Sequence, residues 1–171
     1  QWILEQALSK PDYVICAGFS HAVITAHNGC LHLEATVTGK IGHAAEPERA
    51  VDALEVSNTV LTALYDSRQA LADITTDVPG IVSPTLVIGT IEGGINTNVV
   101  PDSVSFRIDR RILPEESVDQ VEQGLTKLME TAVAPFPGAT VAVERIMAAL
   151  PLVPQPGWKK IANAIRHAAS D

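Results

Sequence analysis

Residues 92–114 read EGGINTNVVPDSVSFRIDRRILP, and this stretch carries the clearest structural pattern in the chain. In its second half, apolar side chains alternate with the polar residues Ser105, Arg107, Asp109 and Arg111. A period of two predicts a β-strand with one buried face and one polar face. The glycine pair that precedes the strand indicates a tight turn.

The polar face of this strand has two interpretations. Arginine presents a planar fork of N–H donors that suits a carboxylate, and Asn96 and Asn98 lie just before the strand. The face is therefore a candidate carboxylate-binding surface. The alternative is a solvated face on which Asp109 pairs with its neighbouring arginines, because exposed charges are the usual case.

The flanking segments predict an α+β fold. Alternation predicts a strand over Leu31–Ile41, and helical spacing follows Pro47, with a stripe of Ala50, Ala53, Leu54, Ser57, Leu61 and Leu64 to about Tyr65. A strand over Pro84–Ile91, a helix capped by Ser117 and a strand over Thr140–Met147 follow. This order favours a ferredoxin-like fold, a four-stranded antiparallel sheet with both helices on one face.

The two ends of the chain do not fit this unit. Helical and strand-like patterns occupy Gln1–Lys10 and Tyr13–Ala17, and a proline-bearing linker precedes a helix that begins at Trp158. We therefore expect residues 30–150 to form an inserted domain. Residues 1–29 and 151–171 are expected to belong to a second domain that the insertion interrupts.

Composition argues against several function classes. The chain has 171 residues, a formal net charge of -8 and only 4% aromatic residues, which disfavours binding to nucleic acids or anionic membranes. No apolar run is long enough to span a bilayer and no signal peptide is visible. Cys16 and Cys30 form no disulfide or metal pattern, so a cytoplasmic protein is expected.

Among the histidines, His43 is the candidate for catalysis. It lies between Gly42 and Ala44, whose small size leaves the imidazole accessible to donate to an oxyanion. The alternative is an ordinary loop histidine. The histidines at positions 21, 27 and 32 lack zinc-site spacing, so no metal site is predicted from this chain alone.

Two motifs resemble a known family. GHAAEPERAVDAL at 42–54 and GGINTNVVPDSVSFRIDRRILPEE at 93–116 resemble the lid, or dimerisation, domain of zinc-dependent amidohydrolases. That family includes acetylornithine deacetylase, succinyl-diaminopimelate desuccinylase, glutamate carboxypeptidase and aminoacylases. The resemblance extends from about Pro11 to Val153 and covers most of the chain.

The resemblance implies roles for named residues. His43 would stabilise the oxyanion in the active site of the partner subunit of a homodimer. Asn98 and Arg111 would bind the carboxylate of an N-acyl amino acid or short peptide. Arg110 is a weaker candidate for this role, because it alternates to the buried face of the strand.

The resemblance also implies a metal-dependent parent enzyme. Its catalytic domain would hold a pair of zinc ions, or cobalt or manganese. The ligands of these metals would lie mostly outside this chain. By itself, this chain would therefore be inactive. Many members carry Glu-Pro after the strand that resembles DYVICA, whereas this chain has Gly18-Phe19. A ligand would then come from elsewhere, such as His21, or the metal site is altered.

Two other functions stay open on the sequence. The first is a non-catalytic dimerising module that binds a small carboxylate ligand and needs no His43. The second is a purely structural assembly domain that pairs with its own copy through an open sheet edge.

Overall fold

The computed structural model describes residues 6–11, 14 and 22–169. The strand expected at Tyr13–Ala17 lies almost entirely outside the described residues, as do Gly18 and His21 and half of the helix expected at Gln1–Lys10. The chain divides into two compact units. One comprises residues 26–153, and the other comprises residues 1–25 and 154–171.

The larger unit contains six strands and two helices among its described residues. The strands are β1 (Gly29–Thr38), β2 (Gly42–His43), β3 (Thr85–Gly93), β4 (Val99–Val100), β5 (Ser103–Ile112) and β6 (Thr140–Ala149). The helices are α1 (Ala53–Leu71) and α2 (Val118–Val133), and a short 3-10 turn covers Pro47–Arg49. In the other unit, the predicted helix after Trp158 is present as α3 (Trp158–Ala168).

The four long strands form one antiparallel sheet in the order β3-β5-β1-β6, which confirms the predicted ferredoxin-like arrangement. The central pair, β1 and β5, aligns Gly29 with Ile112 and Thr38 with Ser103. We call the end of the sheet at Gly29 and Ile112 the base. The end at Thr38 and Ser103 is the tip.

Both helices pack on one face of this sheet, because β1 and β5 present apolar side chains there at every second position. The largest fully buried members of this core are Leu31, Leu33, Val37, Val56, Val60, Leu64, Leu86, Phe106, Ile108, Ile112 and Met129. The opposite face, which we call the open face, carries the polar set of β5. The alternation predicted for β5 is confirmed.

The first helix differs from its predicted form. The sequence places Pro47 in its first turn, but α1 begins only at Ala53, because the Asp52 side chain accepts hydrogen bonds from the N–H groups of Leu54 and Glu55. The buried face of the helix matches the expected stripe at Ala53, Ser57 and Leu64 and departs from it elsewhere. Leu54 is exposed, and Val56 and Val60 point into the core instead.

The second helix begins as predicted. Ser117 caps α2 by accepting a hydrogen bond from the N–H of Gln120. Leu125, Met129 and Val133 are its buried residues.

The chain enters and leaves the larger unit at the base. Cys30 near the start of β1 pairs with Ala149 at the end of β6. Further towards the two ends of this unit, the backbones of His27 and Leu152 exchange hydrogen bonds of 3.1 and 3.0 Å. Within the described part of the chain, no helix is long and apolar enough to cross a membrane.

Candidate functional site

His43 and Asn98 are neighbours at the tip of the sheet. A short ribbon forms where β2 pairs with β4, aligning His43 with Val99. The next backbone N–H, that of Ala44, donates to the carbonyl of Asn98 at 3.1 Å. The structure therefore brings together two residues that are far apart in sequence, and both are exposed.

The hydrogen bonding of His43 favours one tautomer. The backbone N–H of Ala45 donates to its Nδ1 at 3.1 Å. A ring nitrogen that accepts a hydrogen bond carries no proton, so the proton of the neutral imidazole lies on Nε2. Nε2 is then a donor directed away from the backbone, which is the arrangement required to stabilise an oxyanion.

Close packing holds the segment that carries His43. A Cβ atom placed on Gly42 would lie 2.5 Å from the Cβ of Ala50, so only glycine fits at this position. The N–H of Glu46 closes a turn by donating to the His43 carbonyl at 2.9 Å. These contacts fix the backbone position from which the imidazole projects.

The loop from Gly93 to Asn98 forms the other side of the tip. Gly94 has a φ of +76°, a left-handed conformation that favours glycine. The Asn96 side chain accepts a hydrogen bond from the N–H of Thr97 at 2.7 Å. A groove of about 610 Å³ opens beside this loop and is lined by residues that include Ala44, Leu54, Gly94, Ile95, Thr97 and Pro101.

Arg111 lies at the base, on the open face. It is flanked across the sheet by Cys30 of β1 and Thr85 of β3. Its side chain is 47% exposed, and its Nη2 donates to Asp109 Oδ2 at 2.9 Å. The pairing expected for a solvated face is thus present, yet the guanidinium remains accessible to a ligand.

Arg110 points to the other face and is only 4% exposed. Its Nη2 donates to Glu116 Oε1 at 2.5 Å, and the N–H of Leu113 donates to Glu116 Oε2 at 2.8 Å. The guanidinium also donates to the carbonyl of Arg111. Arg110 therefore ties the end of β5 to the segment that leads into α2.

The tip and the base are far apart. Ser103 and Arg111 are separated by eight steps along a paired strand. At about 3.4 Å per residue, this distance is about 27 Å. Asn98 directly precedes β4 and is held beside Ala44 at the tip. The sequence suggests that Asn98 and Arg111 bind one carboxylate, but a single copy of the chain does not bring them together.

The strand register reveals two partners that the sequence pattern of β5 alone misses. Glu34 of β1 lies opposite Arg107, and Nε of Arg107 donates to Glu34 Oε2 at 2.6 Å. This hydrogen bond raises the pKa of Arg107 above its ordinary value. His32 lies opposite Asp109, with Nε2 3.5 Å from Asp109 Oδ2.

The described residues do not form a metal centre. Within residues 6–11, 14 and 22–169, no group of three His, Cys, Asp or Glu side chains is arranged to hold a metal ion. The zinc ions implied by the sequence resemblance do not fit these residues. Their ligands would have to come from other parts of the protein.

Sequence comparisons identify the family. Residues 25–137 match the family model described as a peptidase dimerisation domain. An acetylornithine deacetylase from Vibrio atlanticus is 36% identical over 137 residues, which cover 78% of this chain and 36% of that protein. The enzyme of the same name from Vibrio cholerae is 38% identical over 131 residues, covering 75% of this chain and 33% of that protein.

Solved structures share the fold. A hydantoinase/carbamoylase family amidase from Burkholderia multivorans matches with a TM-score of 0.62 and 25% identity, covering 87% of this chain and 34% of that one. A related amidase from Burkholderia ambifaria matches with a TM-score of 0.66 at 20% identity, with the same coverage of 87% and 34%. This chain spans about a third of the length of the curated relatives it matches. It belongs to the peptidase dimerisation domain family.

Proposed function

We propose that this chain is part of a metal-dependent amide hydrolase that acts on N-acyl amino acids or short peptides. The relatives named acetylornithine deacetylase support this substrate class, since they remove an acyl group from an amino acid. In this proposal residues 1–29 and 151–171 belong to the interrupted catalytic domain, which holds the metal. The chain alone has no hydrolytic activity.

The separation of tip and base is the observation that carries the proposed mechanism. The chain enters and leaves the larger unit at the base, where Arg111 also lies. His43 and Asn98 lie at the tip, and the strand that joins tip and base is about 27 Å long from Ser103 to Arg111. They are therefore proposed to serve the active site of a second copy, so each active site combines Arg111 of one subunit with the tip of the other.

The residues of this chain then have distinct tasks. As the scissile amide carbonyl becomes tetrahedral, His43 donates from Nε2 to the developing oxyanion. Arg111 binds the substrate carboxylate through its guanidinium fork. Asn98, whose backbone carbonyl is bound by the N–H of Ala44 next to His43, donates from its carboxamide to the same carboxylate.

The homodimer that this mechanism requires is proposed to form through the β3 edge of the sheet. The outer half of β3, Gly89–Gly93, is exposed on both faces and carries a single charge at Glu92. The opposite edge, β6, carries the charged residue Arg145, which forms ion pairs with Asp119 and Glu122 of α2. An edge with few charges favours strand pairing between copies, whereas a more highly charged edge opposes it.

Two isoleucines test this assignment as a matched pair. Ile91 of β3 is 50% exposed and Ile146 of β6 is 48% exposed. Ile91→Lys is expected to shift the full-length protein from dimer to monomer in analytical ultracentrifugation, because a lysine opposes edge pairing. Ile146→Lys is expected to leave the dimer intact. The reverse pattern would place the interface at β6.

A subunit-mixing experiment tests the composite active site. Full-length His43→Ala and Arg111→Ala subunits, carrying different affinity tags, are co-expressed, and the mixed dimer is purified. One of its two active sites would then contain both His43 and Arg111, and the other would contain neither. The mixed dimer should therefore recover about half of the wild-type rate, whereas each parent dimer is impaired at both sites.

The outcomes of this mixing experiment separate the alternatives. If both residues served the active site of their own subunit, each site of the mixed dimer would carry one lesion and activity would stay low. Full activity of both parent dimers would remove the two residues from the mechanism. The protein could instead bind N-acyl amino acids without hydrolysing them, and His43→Ala could leave this binding unchanged. That result would support the non-catalytic carboxylate-binding module.

We also propose a cytoplasmic location. The one cysteine among the described residues, Cys30, forms no disulfide. The net charge of -8 is compatible with this compartment.

A further inference from the structure

Asp109 occupies an unusual position on the open face. It is half-buried, and its Oδ2 accepts a hydrogen bond from Nη2 of Arg111 at 2.9 Å. Its Oδ1 is buried and has no hydrogen-bond partner among the described residues. Nε2 of His32 lies 3.5 Å from Oδ2, and this nitrogen is also buried without a hydrogen bond. The carboxylate therefore has one buried oxygen without a partner and one oxygen bound to Arg111.

The two arginines of the open face are held in different ways. Arg107 uses Nε to bind Glu34 across the strands, with an N–O distance of 2.6 Å. Arg111 contacts Asp109 along its own strand through Nη2, a terminal nitrogen. The remaining N–H groups of Arg111 stay available for a two-point contact with a carboxylate.

We infer that Asp109 is a positioning residue for Arg111, fixing one end of its guanidinium so that the rest of the fork faces a substrate carboxylate. This inference rests on the proposed carboxylate-binding role of Arg111. Cys30 and Thr85, which flank Arg111 on the adjacent strands, have small side chains. Asp109 is therefore the side chain that restricts the guanidinium of Arg111.

Two effects of Asp109 on carboxylate binding oppose each other. Its negative charge repels the incoming carboxylate, but it lies on a solvent-accessible face where water and salt screen that repulsion. Its hydrogen bond restricts a flexible side chain before the substrate binds, and this ordering is not screened. We expect the ordering effect to be the larger, so that removing Asp109 weakens binding.

The test is a double-mutant cycle in the full-length enzyme, with N-acyl amino acids and the matching N-acyl amino acid amides as substrates. Arg111→Ala is expected to raise KM for the carboxylate substrate roughly 10- to 100-fold and to change the amide little. Asp109→Ala is expected to raise the same KM about three- to tenfold, with kcat nearly unchanged. In the Arg111→Ala background, Asp109→Ala should add nothing.

Control variants guard against a general effect of disturbing the sheet. Glu34→Ala removes a carboxylate–guanidinium pair from the same face, away from Arg111, and should leave KM unchanged. Asp109→Asn keeps an acceptor oxygen and should recover most of the loss. If Asp109→Ala fails to fold, Asp109→Val, which lacks an acceptor and suits a strand, takes its place in the cycle.

Different results would contradict the carboxylate-binding role of Arg111 and the positioning role of Asp109. If Arg111→Ala leaves KM unchanged for the carboxylate substrate, the proposed role of Arg111 is wrong. If Arg111→Ala raises KM but Asp109→Ala leaves it unchanged or lowers it, the positioning role is wrong while the role of Arg111 stands. An equal effect of Asp109→Ala with and without Arg111 would also overturn the positioning role.

Discussion

The tip and the base of the sheet are built differently. At the base, β5 is flanked by strands on both sides, and the buried Arg110 is paired with Glu116. At the tip, a ribbon of two residues per strand and a glycine-bearing loop carry His43 and Asn98, both exposed. Carboxylate recognition at Arg111 thus rests on the core, whereas the oxyanion donor projects from a small extension.

This difference shows why one copy of the domain is insufficient in the proposed mechanism. A sheet of this length keeps its two ends about 27 Å apart, so groups at the ends meet only across a dimer. Substitution of His43 at the tip should then affect catalysis, whereas substitutions at the base should affect either stability or substrate affinity, depending on the face.

The largest expected effect is at the tip. His43→Ala in the full-length enzyme should lower kcat by about 10²–10³-fold with little change in KM, because an oxyanion donor acts mainly in the transition state. Steady-state kinetics on an N-acetyl amino acid would measure this. His167→Ala, in an exposed position of α3, is the matched control and should behave like the wild type. A near-normal kcat for His43→Ala would remove the contrast between the two ends.

The next effect separates two adjacent arginines at the base. Arg110→Ala should destabilise the domain by about 3 kcal/mol, because it leaves Glu116 partly buried without its partner. Arg111→Ala should change stability little, since its ion pair is exposed. Urea unfolding of both variants would measure the difference. Equal stability losses would show that the buried and the exposed arginine contribute alike to the stability of the domain.

The smallest effect concerns the backbone of the tip. Gly42→Ala should lower stability by about 1–2 kcal/mol and also reduce kcat, because the new Cβ meets the Cβ of Ala50. Ala50→Gly in the same chain removes the obstructing atom and should restore kcat. Failure of this second substitution to rescue would mean that Gly42 acts through backbone freedom rather than close packing.

Much of the fold follows from periodicity. The alternation of β5 correctly separated the buried Phe106 and Ile108 from the polar Arg107 and Asp109, and Ser117 correctly marked the start of α2. These features depend on local physics, namely side-chain direction along a strand and capping of free N–H groups. The start of α1 was missed although Asp52 and Glu55 have the spacing of a capping box.

The site was harder to predict because it depends on contacts between distant segments. The pairing of His43 with Val99 and of His32 with Asp109 depends on strand register, which no local pattern in either segment specifies. The separation of Asn98 from Arg111 could have been foreseen. A strand of ten residues connects their neighbourhoods, and an extended strand does not fold back on itself.

The adjacency of Cys30 and Ala149 makes the larger unit suitable for circular permutation. Because its first and last strands are neighbours, a short peptide could join residues 26 and 153 without crossing the sheet. New chain ends could then open in the exposed connection between α1 and β3, around Asp77 to Gly80. Such a circular permutant would keep all strand pairs, and it would turn β3, the proposed dimer edge, into the first strand of the chain.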